Sequence, residues 1–101
     1  MTVGFAAAAR PEFDEAVGYY ESSRAGLGVA FKQEVLRTID RIVAAPHCNA
    51  KVSAKARFRK TRRFPYGIIY VTEADRIVVV AVMHGSRRPG YWKNRLKDLG
   101  S

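Results

Sequence analysis

From Ile77 to Met83 the chain reads Ile-Val-Val-Val-Ala-Val-Met, with no polar side chain on either face of an extended strand. Such a strand has to lie inside a sheet that is covered on both sides. The segment before it, Tyr66 to Thr72, reads as a partner strand, and Glu73-Ala74-Asp75 as the turn between them. Upstream, the period from Lys55 is two. Lys55, Arg57, Arg59, Thr61 and Arg63 point one way, and Ala56, Phe58, Lys60, Arg62 and Phe64 the other. Pro65 interrupts this cationic strand.

The first half supplies the cover. Val3 to Ala8 suits a short first strand. Pro11 then opens a helix with Glu12, Asp14 and Glu15 near its positive end. Phe13, Ala16, Val17 and Tyr20 fall on one helical face. Ser22-Ser23 and Gly26-Leu27-Gly28 mark a turn, with both glycines read as turn residues. A second helix follows over about 29–45, with Phe31, Val35, Ile39, Ile42 and Val43 as its apolar stripe, until Pro46 stops it. Residues 47–54 read as a polar loop, and 89–99 as a short terminal helix or an irregular tail. The order β-α-α-β-β-β predicts one α+β domain over residues 1–101, a helical hairpin packed on a small, mainly antiparallel sheet.

The charge is unevenly placed. Residues 1–50 hold five Lys/Arg against six acids, a balance of −1, and residues 51–101 hold thirteen against three, a balance of +10, giving +9 in all. A clustered positive charge predicts an acidic partner: nucleic acid, an acidic protein surface or an anionic membrane face. No apolar run approaches the roughly 20 residues of a membrane span, so no membrane association is expected. Cys48 is alone, so no disulfide and no cysteine-based metal site can form within the chain. This, with no basic lead before the apolar 1–9 segment, predicts a cytoplasmic protein. No phosphate-loop pattern or ligand cluster is present, so neither a cofactor nor a metal is expected.

The Pro-Glu-Phe-Asp-Glu-Ala helix start, the Phe64-Pro65-Tyr66-Gly67-Ile68-Ile69-Tyr70 strand and the closing His84-Gly85-Ser86-Arg87-Arg88-Pro89-Gly90-Tyr91-Trp92, taken in this order, resemble the RelE/ParE superfamily of bacterial toxins. The wording is most similar to the ParE-type, plasmid-stabilisation branch. The resemblance implies a toxin silenced by a cognate antitoxin, and operator DNA contacted only through that antitoxin. It also implies one of two activities: RelE-type members cut messenger RNA on the ribosome without a metal, and ParE-type members are associated with inhibition of DNA gyrase.

Metal-free RNA cleavage needs a base, an acid and cations for the phosphorane-like charge. Lys60, His84, Arg87 and Tyr91 are the candidates for it. The nuclease branch, however, often opens the Tyr-ended strand with Arg, and Gly67 stands in that place. His84, at the end of a buried strand, also reads as an ordinary structural histidine. The binding reading asks only for a cationic, aromatic-edged surface. Arg57, Arg59 and Arg63 from the third strand, with Arg87, Arg88 and Trp92 from the terminus, are expected to form one continuous target-binding patch. Tyr20, Phe31 and Val35 on the hairpin are expected to take the antitoxin. The ParE-like binding toxin is the leading expectation, the ribosome-dependent nuclease the alternative, and a non-toxic basic nucleic-acid-binding module the third.

Overall fold

The computed structural model describes residues 1–99. Five strands form one sheet in the order β1-β5-β4-β3-β2. They are β1 (Thr2–Phe5), β2 (Ala50–Lys51), β3 (Ala56–Lys60), β4 (Tyr66–Glu73) and β5 (Arg76–His84). Only β1 runs parallel to its neighbour, pairing Thr2 with Arg76 through Phe5 with Val79. The other pairs are antiparallel. The all-apolar strand β5 is thus internal, between β1 and β4. The expected α+β architecture is present, with one addition: the expected 47–54 loop contains the two-residue β2.

Helices α1 (Ala9–Ser23) and α2 (Leu27–Ala44) form the hairpin that covers the inner face. The first strand stops at Phe5 rather than Ala8, because the alanines that follow turn into the helix, with Ala9 N–H donating to Ala6 O at 2.9 Å. Gly26, at φ 88°, occupies the left-handed region that ends the turn. Gly28 lies inside α2, not in the turn, and allows a close approach: a Cβ there would sit 2.7 Å from Val17 O. Glu21 caps the new helix from the old one, accepting from Gly26 N–H at 3.0 Å and Gly28 N–H at 3.1 Å.

The inner core joins Phe13, Phe31, Val35, Ile39 and Ile42 to Phe64, Ile68, Tyr70, Ile77, Val79 and Val82. The outer face buries Ala56, Ile69, Val71, Val78, Val80, Ala81 and Trp92. A bulge sets this division. Ile69 pairs with Ala81 but Tyr70 with Val79, leaving Val80 as the extra residue. Val80 and Ala81 therefore both face outward, and Val82 returns to the inner core. The segment after β5 crosses to the outer face and ends in a 3-10 helix, Lys93–Leu99.

Candidate functional site

Two loops meet at the end of the sheet where β3 leaves and β5 exits. The first is the turn 61–65. Thr61 is buried, and its hydroxyl lies 3.1 Å from Phe64 O and 3.0 Å from Tyr66 O. Arg63 adopts φ 77°, a left-handed conformation costly for a residue with a Cβ unless the surroundings hold it. The support comes from α2. Glu34, nearly buried, accepts from Arg62 N–H at 2.6 Å, Arg41 Nη2 at 2.8 Å and Thr38 Oγ1 at 3.1 Å. Burial pushes the Glu34 carboxyl up, but these hydrogen bonds and the Arg41 charge outweigh it and hold the group below its ordinary value. This turn reverses the simple alternation: Phe64 joins the inner core, opposite Phe58, because regular pairing stops at Lys60.

The second loop is the β5 exit. Gly85 N–H donates to Pro65 O at 2.8 Å, and Tyr66 pairs with His84, so the two loops are joined directly. Arg62, Arg63, Arg87 and Arg88 are exposed on them. Among the described residues none of the four has an acid within ion-pair distance. The result is a cationic end on a rigid base.

Beside this end lies a cleft of about 500 Å³ between α1 and the last part of β5, lined by Glu15, Tyr19, Tyr20, Tyr66, His84 and Arg87 among others. Burial raises the hydroxyl pKa of both Tyr20 and Tyr66. At one wall of the cleft β1 no longer accompanies β5, and side chains close the strand edge instead. Glu12 Oε1 accepts from Val82 N–H at 2.9 Å and from Arg95 Nη1 at 2.8 Å. Glu12 Oε2 accepts from Tyr91 Oη at 2.6 Å and Arg95 Nη2 at 3.1 Å. Arg95 Nη1 also donates to Val80 O at 3.0 Å. Burial and the Glu12 hydrogen bond push the Tyr91 hydroxyl well above its usual range. One carboxylate thus bolts the C-terminal segment to the sheet.

The chain matches the family described as ParE toxin of type II toxin-antitoxin system, parDE, over residues 3–89. It belongs to the ParE toxin family. A solved structure from the chromosomal ParDE toxin–antitoxin system of P. aeruginosa superposes with a TM-score of 0.72 at 12% identity, covering 83% of this chain and 95% of that one. At that identity the likeness concerns the fold. No curated protein sequence matches the chain. Membership of a toxin–antitoxin family gives this ParE toxin an antitoxin as its partner, and none of its helices is long and apolar enough to cross a membrane among the described residues.

The six residues expected to form one patch separate into three groups. Arg63, Arg87 and Arg88 share the cationic end, joined by Arg62, which the alternation had placed elsewhere. Arg57 and Arg59 do not belong to it. They are half-buried on the inner face and donate to Asn49, Arg57 to its carbonyl at 2.7 Å and Arg59 to Oδ1 at 3.0 Å. Trp92 is 3% exposed, because it covers the outer face and its indole is packed into that core. Phe31 and Val35 are also unavailable to a docking partner, each 0% exposed beneath the hairpin. Of the expected antitoxin contacts only Tyr20 reaches the cleft.

The nuclease set is divided between two faces of the sheet. His84, Arg87 and Tyr91 lie by the cleft, with the Arg87 guanidinium 3.9 Å from the centre of the Tyr91 ring. Lys60 follows Phe58 on the opposite face. His84 Nδ1 accepts from Ser86 N–H at 2.9 Å, and Ser86 Oγ lies 2.8 Å from the same nitrogen. The Tyr91 hydroxyl is given to Glu12. At Gly67 any side chain would overlap the ring of Phe58, so the missing arginine has no room there.

Proposed function

We propose that this ParE toxin inhibits growth in the cytoplasm by binding a target protein, DNA gyrase, without bond-cleaving chemistry, until its cognate antitoxin neutralises it. The observation that carries this reading is the cationic end: Arg62, Arg63, Arg87 and Arg88 are exposed and unpaired among the described residues, on loops held by Glu34 and by the Gly85–Pro65 hydrogen bond. Guanidinium groups held this way pair bidentately with carboxylates or with phosphates of gyrase-bound DNA. The antitoxin seats in the aromatic cleft beside α1, where Tyr19 is 66% exposed. Operator DNA is contacted through the antitoxin.

The test is DNA supercoiling by purified gyrase. The wild-type toxin is expected to block it and the Arg62→Ala/Arg63→Asn/Arg87→Ala/Arg88→Ala variant to spare it, while both are captured by the antitoxin. Undiminished supercoiling at saturating wild-type toxin would overturn the gyrase assignment. Cleavage of ribosome-bound message that disappears in His84→Ala would overturn the binding mechanism.

A further inference from the structure

We infer that the outer face of the sheet carries a second binding site, an apolar groove that takes a segment of the target protein in which large apolar side chains alternate with carboxylates. This rests on the reading of the chain as a toxin that acts by binding a protein.

The two faces of the sheet are covered unequally. Two helices seal the inner face, and the outer face has only the C-terminal segment. Where that segment begins, cover is incomplete. Val52 is 39% exposed and Phe58 and Met83 are half-buried; with Trp92 and Ile69 as floor and Pro89 on the rim they bound a groove of about 430 Å³. Opening a cavity lined by such atoms to water is unfavourable, and an apolar side chain seated in it gains by removing that surface from solvent.

Charge selects the occupant. Among the described residues the groove's ionisable lining is Lys93 alone, and no acid lines it. Lys60 stands two positions beyond Phe58 on the same face of β3, and Arg88 precedes Pro89. An apolar floor with a cationic rim is complementary to apolar residues flanked by carboxylates. A second copy of this chain is a poor occupant, since it carries a net charge of +9 and a two-fold contact would set lysine against lysine. Single-stranded RNA needs exposed ring faces for stacking. Here the Trp92 indole is 3% exposed and Phe58 lies over Gly67, so the open part of the groove is the aliphatic Val52 and Met83. The rim also runs into the cationic end through Arg88, so one protein surface can engage both.

Trp92 is the chain's single tryptophan and reports on the groove floor. The probe is an extended peptide of alternating Leu and Glu, with a Leu/Lys peptide and oligouridine as comparators. The Leu/Glu peptide is expected to change Trp92 emission saturably. Affinity should fall about tenfold or more in Val52→Asp and in Lys60→Glu/Lys93→Glu, without change in melting temperature, as all three residues are exposed. In the supercoiling assay Val52→Asp should lose inhibition and keep antitoxin capture. No saturable change, an equal response to Leu/Lys, or an oligouridine signal that survives Val52→Asp overturns the proposal. So does loss of antitoxin capture in Val52→Asp, which would give the groove to the antitoxin. Leu/Glu binding by a wild-type toxin that leaves gyrase uninhibited supports the groove and refutes the gyrase assignment instead.

Discussion

Arg57 and Arg59 lie only a few residues from Arg62 and Arg63, yet the two pairs do different things. The first pair is folded against Asn49, whose own amide donates to Tyr70 Oη at 2.9 Å, so these guanidinium groups staple the β2 region to the sheet. Arg41 and Arg95 are likewise engaged, by Glu34 and Glu12. Arg62, Arg63, Arg87 and Arg88 meet no acid among the described residues and stay in solvent. The comparison teaches that the density of positive charge along a chain overstates the charge presented to a partner. Internal acceptors remove part of it, and which part depends on where each strand ends.

The contrast can be broken most severely at Glu12. Glu12→Ala leaves the Arg95 side chain, only 19% exposed, without its carboxylate and orphans Val82 N–H and Tyr91 Oη. A loss of about 3–5 kcal/mol in urea unfolding is expected, against about 0.5 kcal/mol or less for Arg88→Ala. Asn49→Ala should cost roughly 1.5–3 kcal/mol by the same measurement, because the charged Arg59 donor loses its acceptor and Tyr70 Oη its amide donor, while Arg57 keeps the backbone carbonyl, and it should leave gyrase inhibition intact per folded molecule.

Glu34→Gln sharpens the comparison through pH. The Glu34 carboxyl is held below its ordinary 4.5, so its stabilising contribution is present above that value and is lost as pH falls through the lower folded value. Acid denaturation curves of wild type and Glu34→Gln should therefore differ most near neutral pH and converge on acidification. Curves that stay parallel would mean that the carboxylate does not hold the turn. The smallest effect on stability belongs to Arg63→Asn. Asn tolerates the left-handed backbone, so stability should stay within about 0.5 kcal/mol, while inhibition of gyrase falls.

Much of the fold could be read from periodicity. The run Ile77–Met83 required an internal strand, and the stripe Phe31, Val35, Ile39, Ile42 required a helix packed by one face. The candidate site was legible in part. Arg63, Arg87 and Arg88 were placed on one surface, but Arg57, Arg59 and Trp92 were grouped with them by alternation and proximity in sequence alone. A signal for Glu34 was present: it lies three residues after Phe31 and four before Thr38, inside the apolar arc of α2, where a carboxylate needs buried donors. Glu12 gave no comparable signal, since an acid in a first helical turn is explained by the helix dipole.

Local pattern and composition determined the element types, their order, the α+β class and the basic character of the second half, because each depends on residue identity and short-range spacing. Tertiary structure decided which cations remain free and which faces remain open. The bulge at Val80 changes which side chains share a face, the left-handed Arg63 sends Phe64 inward, and Glu12 and Glu34 tie distant segments together. The Glu34 and Glu12 ties reach 28 and 83 residues along the chain, a separation across which no periodicity in the sequence carries information.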